Sequence, residues 1–233
     1  MGKKQKIVVL TGAGISAESG LKTFRDSNGL WEGHDVMEVA SPQGFNKNPE
    51  LVLEFYNQRR KQLLEVSPNE GHKALVGLEE EFDVSIITQN VDNLHEQAGS
   101  SHVVHLHGEL LKVRSTANEN HVLEWKKDLV LGDLDKNGHQ LRPHIVWFGE
   151  MVPMLEVAIE ITQTAAILII IGTSMQVYPA ASLINFVPRE TPIYFIDPRP
   201  SIQASNFADL TIISKTATEG VPALTQELYS KFH

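Results

Sequence analysis

Six short apolar runs, rich in β-branched residues and ending near Gly, Asn, Asp or Pro, constrain this fold more than any other feature. They occupy residues 7–10, 84–88, 103–106, 166–171, 193–196 and 210–213. Most are apolar throughout rather than alternating, as in strands that a parallel sheet covers on both faces. Helical patterns lie between them, and the clearest begins with Asn48 as N-cap and Pro49 and runs to about Glu65. The chain is therefore predicted to be an α/β protein with a doubly wound parallel sheet.

Two stretches, about 31–68 and 112–142, interrupt this rhythm of strands and helices. The second is polar and rich in Asn, Asp, Glu and Lys. We predict that the two come together as a small inserted lobe over the C-terminal edge of the sheet. The large lobe would then consist of about 1–30, 69–111 and 143–233, and the 233 residues would form a single domain.

Composition narrows the classes of function. The formal net charge is −9, which argues against broad affinity for nucleic acid or anionic membranes, because both need clustered Lys and Arg. The basic start of the chain lacks the longer apolar region of a signal peptide, and the most apolar run, 165–171, is too short to span a bilayer. We expect a soluble cytoplasmic protein. The chain has no cysteine, so disulfides and thiolate metal sites are excluded.

The first apolar run leads directly into Gly12-Ala13-Gly14 and then Ser16-Ala17. A buried strand followed by Gly-x-Gly-x-x-Ala and a helix start is typical of dinucleotide-binding folds, in which glycines let the backbone approach a pyrophosphate. The alternative is a plain strand-to-helix turn. The acidic residue that usually follows about 20 residues later is not evident, which disfavours an ordinary dehydrogenase.

Five segments, in order along the chain, carry a resemblance to a known family. They are residues 12–25 (GAGISAESGLKTFR), 88–95 (TQNVDNLH), 105–108 (HLHG), 146–150 (VWFGE) and 172–174 (GTS) with 177–181 (VYPAA). On these motifs the chain resembles the sirtuins, the Sir2-type NAD-dependent protein deacylases, over nearly its whole length. The resemblance implies a Rossmann-like NAD-binding domain and NAD as a consumed co-substrate. It also implies acyl-lysine proteins or peptides as partners, with nicotinamide, O-acyl-ADP-ribose and free lysine as products.

The catalytic roles follow from the resemblance. The family places its base in a His-Gly pair, here His107-Gly108, and histidine suits the task because its usual pKa of about 6.5 lies near working pH. His105 points to the same side of the predicted strand, so spacing alone does not separate the two histidines. Asn90 would orient the ribose and a water, and Asp92 would contact the nicotinamide carboxamide. The alternative for both is turn chemistry at a strand end.

The resemblance also assigns a set of NAD-contacting residues along the C-terminal edge of the sheet. They are Gly12, Ala13, Gly14, Ser16, Ala17, Phe24, Arg25, Trp31, Gln89, Asn90, Asp92, Gly172, Thr173, Ser174, Asp197 and Ala217. Arg25 would bring a fixed positive charge to the pyrophosphate. Asp197 stands where the family usually has Asn, and either can bond ribose hydroxyls. Ala217 would approach the adenine through its backbone.

A flat apolar wall is expected at Val146, Trp147, Phe148, Gly149 and Glu150. In sirtuins this segment pairs with the substrate as an added strand and sandwiches the acyl-lysine stem, which needs available backbone groups. The alternative is that the Trp-Phe pair packs in the core.

Tyr56 and Arg59 are three residues apart on the predicted helix, hence on one face. The pair resembles the Tyr-x-x-Arg of sirtuins that remove succinyl, malonyl or glutaryl groups, where a phenol and a guanidinium bind the distal carboxylate. Ala40 is small enough to leave room for such an acyl group. Arg60, on another face, is predicted to face solvent. The alternative for the pair is an ordinary exposed helix surface.

Most sirtuins bind a structural zinc through four cysteines, and this chain departs from that pattern. Ser115 and Asn118 occupy the first Cys-x-x-Cys positions, and the spacing of His121 and His139 resembles no usual zinc site. We therefore expect no metal and a zinc-free lobe that is held by packing. The candidates for that packing are Val122, Leu123, Trp125, Leu129, Val130 and Leu134.

The sequence thus predicts an NAD-dependent protein-lysine deacylase that acts on succinyl or malonyl groups and also on acetyl groups. Three other functions stay open. A mono-ADP-ribosyltransferase on the same scaffold would leave ADP-ribose on protein, and a non-catalytic NAD-binding module would turn over neither substrate. A dehydrogenase would change nicotinamide absorbance instead of releasing nicotinamide.

Overall fold

The computed structural model describes residues 4–22, 30–31, 33–202 and 207–232. Its main sheet has six strands, all parallel, in the spatial order β11-β10-β9-β1-β4-β5. The strands are β1 (Lys6–Thr11), β4 (Asp83–Thr88), β5 (Val103–His105), β9 (Ile167–Ile171), β10 (Ile193–Ile196) and β11 (Leu210–Ile213). All six predicted strands are confirmed to within one residue at each end. The strand order reverses beside β1, and ligands of open α/β sheets bind at such a point.

Both faces of this sheet are buried, which explains why its strands are apolar throughout. In β1, Ile7 and Val9 pack into one core cluster, whereas Val8 and Leu10 pack into another on the opposite face. Burying each such side chain contributes about 1.5–3 kcal/mol. The flanking elements are α5 (Glu70–Leu78) and α8 (Ala217–Phe232) on the first face, and α7 (Leu155–Thr162) and the 3₁₀ helix Ala180–Phe186 on the second.

A separate antiparallel sheet has the order β7-β6-β8 and packs against the long helix α4 (Pro49–Glu65). Asn48 caps that helix as predicted, because its Oδ1 accepts a hydrogen bond from Leu51 N at 3.1 Å. The strands are β6 (Gly108–Ser115), β7 (Val122–Glu124) and β8 (Leu141–Ile145). The other elements are α1 (Gly14–Ala17), β2 (Leu30–Trp31), β3 (His34–Asp35), α2 (Val36–Val39), α3 (Pro42–Lys47) and α6 (Leu94–Ala98). The assignment of chain segments to two lobes stays a prediction.

A small apolar cluster and two hydrogen bonds of the Asn57 side chain hold the 112–142 segment to α4. Leu129 is fully buried in a cluster with Leu53, Val113 and Leu141. The Asn57 side chain receives a hydrogen bond from Leu129 N at 2.9 Å and donates one to Leu129 O at 3.0 Å. This two-way contact joins helix and segment as a strand ladder would.

The predicted packing of the segment is wrong in part. Leu129 is in the core and Trp125 packs against it, but Leu123, Val130 and Leu134 are 38%, 54% and 51% exposed. Leu123 lies on the short strand β7, Leu134 forms an isolated β-bridge with Gln140, and Val130 O accepts from Asp133 N in a turn. Backbone hydrogen bonds rather than burial therefore fix these segments.

The prediction that Arg60 faces solvent is wrong. Its side chain is 1% exposed, and its guanidinium donates to Leu110 O at 3.2 Å and to Asn57 Oδ1 at 2.8 Å. Burial lowers the pKa of Arg60 to about 10, although Asp128 opposes the shift. The helix packs on β6 by this side as well as by its apolar face, so Arg60 joins α4 to that strand.

The described ranges contain neither a cluster of metal-ligating side chains nor a membrane-spanning helix. No group of three or more His, Cys, Asp or Glu side chains there is arranged to hold a metal ion. Ser115 Oγ accepts from Ala117 N at 3.1 Å, and Asn118 Oδ1 accepts from Asn120 N at 3.0 Å, so both side chains stabilise turns. Over the same ranges, every helix is too short or too polar to cross a bilayer.

Candidate functional site

A cleft opens at the C-terminal edge of the parallel sheet, between the loops after β1, β4 and β9 and the α4 and β8 region. Most predicted site residues line it. They are Gly12, Ala13, Ser16, Trp31, Tyr56, Arg59, Gln89, Asn90, Asp92, His107, Val146, Trp147, Phe148, Gly149, Glu150, Gly172, Thr173 and Ser174. Phe24 and Arg25 lie outside the described residues.

Four predicted site residues do not line this cleft. Gly14 packs behind it, and Ala17 lies exposed at the end of α1. Asp197 is 1% exposed, and its Oδ1 accepts from Arg199 N at 2.8 Å, so it caps the loop after β10. Ala217 is buried in the core at the start of α8.

The glycines of the loop after β1 serve a close contact within the protein. Gly12 N donates to Ile171 O at 3.0 Å, and Gly14 N donates to Gly172 O at 2.8 Å. A Cβ at Gly14 would lie 2.5 Å from Gly172 Cα, and one at Gly12 would lie 2.8 Å from Thr173 Cβ. Gly-x-Gly is needed here because the loops after β1 and β9 touch backbone to backbone. These two N–H groups are therefore already engaged within the protein.

Ser16, Asn90 and Asp92 form a buried polar cluster on the cleft wall. Ser16 Oγ donates to Asp92 Oδ2 at 3.0 Å and accepts from Asn90 Nδ2 at 3.2 Å. Asp92 Oδ1 accepts from Leu94 N at 3.1 Å. Burial raises the pKa of Asp92, although the hydrogen bonds from Leu94 and Ser16 oppose the shift. The cluster thus presents fixed donors and acceptors to a ligand.

His107 lies in the cleft, just after β5, with one ring nitrogen bonded to the protein. Its Nδ1 is 3.0 Å from Gln89 O, and a carbonyl can only accept, so Nδ1 carries the proton of the neutral ring. Nε2 then carries the lone pair. Burial lowers the pKa of His107, although the Gln89 contact opposes the shift. At neutral pH the ring is therefore uncharged and able to accept a proton.

His105 has the surroundings of a structural residue, which separates it from His107. Its Nε2 is 2.7 Å from Glu96 Oε1, and its Nδ1 is 3.1 Å from Asn90 O. Burial opposes the charged ring, but the hydrogen bond and charge of Glu96 outweigh burial and raise the pKa of His105. It does not line the cleft, and it holds the backbone of Asn90 in place.

The loop after β9 meets the loop after β4 through side chains. Gln89 Nε2 donates to Thr173 Oγ1 at 3.2 Å, and Met175 N donates to the same oxygen at 3.2 Å. Gly172 has a φ of +60°, which a side chain would disfavour. Thr173 and Ser174 thus line the cleft on a loop that is fixed from two sides.

The wall at 146–150 differs from its prediction in one respect. Its N–H groups are engaged: Val146 N donates to His107 O at 2.9 Å, Trp147 N to Glu150 Oε2 at 2.8 Å, and Phe148 N to Ala40 O at 2.9 Å. The predicted availability of backbone groups therefore does not extend to these three donors. Trp147 is 2% exposed and Phe148 is 40% exposed, so core packing and cleft lining coexist.

Tyr56 and Arg59 both line the cleft, and Ala40 lies beside them. The Tyr56 hydroxyl accepts from Trp147 Nε1 at 3.0 Å. Burial raises the pKa of Tyr56, although Trp147 and two arginines oppose the shift, so the phenol stays protonated. The Arg59 guanidinium lies 3.7 Å from the centre of the Phe55 ring and donates to Phe55 O.

Sequence reasoning missed several residues at the cleft. Gln62 lines the cleft, and its position three residues after Arg59 on α4 predicts that the two share one helix face. Beneath Ser16 lies His72, whose Nε2 is 3.5 Å from Ser16 Oγ, and the rings of His72 and His95 are 5.0 Å apart. Burial lowers the pKa of His72 to about 4, and burial also lowers the pKa of His95. No sequence signal placed these two rings under the cluster, because both contacts join distant segments.

These features define a class of protein: a doubly wound α/β fold of the nucleotide-binding type, with a neutral histidine and a buried Ser–Asn–Asp cluster at its C-terminal cleft. The chain belongs to the Sir2 family, whose model matches residues 12–179. The predicted family membership and fold class are confirmed.

Relatives and a solved structure agree with this assignment. The chain is 64% identical over 195 residues to the NAD-dependent protein deacylase of Helicobacter pylori, covering 84% of this chain and 85% of the relative. It is 53% identical over 230 residues to that of Bacteroides thetaiotaomicron, covering 96% and 98%. A crystal structure of a Sir2 homologue–NAD complex superposes with a TM-score of 0.87 at 39% identity, covering 99% and 91%.

Proposed function

We propose that this Sir2-family enzyme is an NAD-dependent protein-lysine deacylase that removes succinyl and malonyl groups and also acetyl groups. The products would be nicotinamide, O-acyl-ADP-ribose and free lysine. The observation that carries the proposal is one cleft lined by the neutral His107, by the Ser16–Asn90–Asp92 cluster, and by Tyr56 and Arg59. The names of the two bacterial relatives support the general activity.

The residues of the cleft fit a dinucleotide. Gly12 and Gly172, which have no side chains, line the cleft by their backbone, so a pyrophosphate could approach the main chain there. Ser16, Asn90 and Asp92 would hold the nicotinamide end, and the hydroxyls of Thr173 and Ser174 would face the ribose and phosphates. Asp197 and Ala217, behind the cleft, would bound the adenosine end. When bound, NAD supplies the ribose carbon whose bond to nicotinamide is broken.

His107 would act as the general base. Because Nδ1 is bonded to Gln89 O, Nε2 is the nitrogen that can take a proton from a ribose hydroxyl. Asn90, held by Ser16 Oγ and by its own N–H bond to Thr88 Oγ1 at 3.0 Å, would orient the ribose and a water. The roles of the two are distinct because only the histidine titrates near neutral pH.

The segment 146–150 would hold the acyl-lysine peptide. With three of its N–H groups engaged, the substrate main chain would pair through other groups of this segment, and the stem would lie between Phe148 and the opposite wall. A protonated Tyr56 and the Arg59 guanidinium would bind the distal carboxylate. Arg59 would exchange its contact with Phe55 O for the charged acceptor, which forms stronger hydrogen bonds than a carbonyl.

The test is mass spectrometry of matched acetyl-lysine and succinyl-lysine peptides incubated with the enzyme, with and without NAD. We expect NAD-dependent loss of both groups, and selective loss of desuccinylation in Arg59→Met. Lys61→Met is the matched control, since Lys61 carries the same charge on the same helix but pairs with Asp128, away from the cleft.

Each rival has its own signature in this assay. ADP-ribose retained on the peptide would indicate a transferase, and NAD binding without any peptide turnover would indicate a binding module. Acetyl loss without succinyl loss would keep the deacylase and refute the acyl preference.

A further inference from the structure

A charged cluster lies against Trp147, and its carboxylate member, Glu150, also lines the cleft. Glu150 accepts from Arg142 at 2.6 and 3.1 Å and from Arg114 at 3.0 Å. All three side chains are at least half-buried, and Arg142 also donates to Ile145 O at 3.0 Å. Each charge of the cluster is paired within it, so we look for its effect in the side chains that it contacts.

What it touches is the Trp147 indole. The Arg142 guanidinium carbon lies 3.3 Å from the centre of that ring, and Glu150 also accepts from Trp147 N at 2.8 Å. The same indole donates its Nε1 proton to the Tyr56 hydroxyl at 3.0 Å. A cation over the ring draws electron density from the indole, which makes the Nε1–H a stronger donor. Arg142 is thereby coupled to the phenol at the acyl end of the cleft.

The direction of the hydrogen bond from Trp147 to Tyr56 affects how the acyl group can be bound. Because the Tyr56 oxygen accepts from Trp147, the phenol proton is left for a second partner, and Tyr56, which is fully buried, borders the cleft. Two guanidinium groups against one carboxylate also leave the cluster with one net positive charge beside a buried wall. Both effects favour an acyl tail that ends in an anion over one that ends in a methyl group.

We propose that Arg142 is a positioning residue for acyl preference: stacked on Trp147, it holds the indole so that Tyr56 donates to the distal carboxylate of a succinyl or malonyl group. This proposal rests on the proposed function above. Arg142 does not line the cleft, so it would act through Trp147. Arg114 shares the bond to Glu150 without the stacking contact, so it serves as a matched control.

The experiment compares steady-state kinetics of Arg142→Gln and Arg114→Gln on succinyl-lysine and acetyl-lysine peptides of one sequence at saturating NAD. For Arg142→Gln we expect the succinyl KM to rise about fivefold, the size expected for losing one partly desolvated cation–π contact, with kcat and the acetyl KM nearly unchanged. Arg114→Gln removes the same unit of charge without touching the indole, so it should raise the succinyl KM less than Arg142→Gln does and leave the acetyl KM nearly unchanged. Arg142→Lys, which keeps a charge over the ring, should restore part of the succinyl affinity.

A double-mutant cycle with Trp147→Phe keeps the proposal testable if one variant is less stable. Trp147→Phe retains an aromatic ring but lacks the donor to Tyr56, so its effect on the succinyl KM and that of Arg142→Gln should not add. Additive effects would overturn the proposal. So would equal losses on both peptides, or equal effects of the two arginine variants, since these indicate a purely structural role. If the unsubstituted enzyme removes acetyl but not succinyl, the proposed acyl preference fails and this inference fails with it.

Discussion

The two ends of the cleft are built in opposite ways. At the end formed by the sheet loops, burial moves four titratable groups toward their neutral forms: it lowers the pKa of His72, His95 and His107 and raises that of Asp92. At the end formed by α4 and the wall at 146–150, charges persist. There the carboxylate of Glu150 has a lowered pKa, because hydrogen bonds and charge from Arg142 outweigh burial.

This difference in charge state matches the chemical role proposed for each end of the cleft. Proton transfer needs a histidine that is uncharged at working pH, so desolvation is useful at the sheet end. Discrimination between a carboxylate and a methyl group needs a positive electrostatic potential at the acyl end. Buried side chains stay charged there only when they are paired with an opposite charge. Burial without a counter-ion therefore favours neutral groups at the sheet end, whereas paired charges persist at the other end.

The largest expected effect comes from removing the base at the neutral end. His107→Ala should lower kcat on either peptide by about 10³-fold, within the range for general-base catalysis, while NAD binding measured by calorimetry is retained. Normal turnover in this variant would remove His107 from the mechanism. Loss of NAD binding would mean that the histidine holds the ligand instead.

The buried His72 at the sheet end of the cleft should make the stability of the fold depend on pH. The pKa of His72 is about 4 in the fold against about 6.5 unfolded, so the unfolded chain binds more protons between these values. Stability is full above about pH 6.5 and falls as pH drops toward 4, by about 3 kcal/mol from this group. Urea unfolding from pH 7 to pH 4 would measure it. The slope should shrink in His72→Gln and persist in the control His139→Gln, a half-exposed ring.

The pH dependence of catalysis should sharpen the assignment between the two histidines. The base must be unprotonated, and burial lowers the pKa of His107, so kcat/KM should be flat at neutral pH. Below that pKa it should fall about tenfold per pH unit. The midpoint should lie below 6.5, the usual histidine pKa, and should persist in His105→Gln. A midpoint above the usual value that disappears in that variant would point to His105, whose pKa is raised overall by Glu96.

The smallest expected effect concerns the charged end. Raising the salt concentration from 0.05 to 0.5 M should raise the succinyl KM about threefold, because screening weakens attraction to a partly exposed guanidinium. The acetyl KM should change little. Equal salt effects on the two peptides would show that the charges of Arg59 and Arg142 do not select the acyl group.

Much of the fold was predictable from the chain alone, and the reason is local. A strand covered on both faces is apolar throughout, and Asn48-Pro49 start a helix through contacts within four residues, so both signals are complete in short segments. The motif residues were found for the same reason, since chain positions just after parallel strands meet at one edge. Within the described residues, most of them do line one cleft.

Contacts between distant segments were decided only by the tertiary structure. Arg60 was expected in solvent and is buried against Leu110, fifty residues away. The Gly12–Gly14 backbone, expected to approach a pyrophosphate, is bonded through the amides of both glycines to β9 and the loop that follows it. His72 under Ser16, and Arg142 over the indole that contacts Tyr56, follow from no periodicity. The spacing of apolar residues in the sequence predicts which face of a helix or strand is buried. The partner of a buried polar group depends instead on how the elements pack, which is determined only when the whole chain folds.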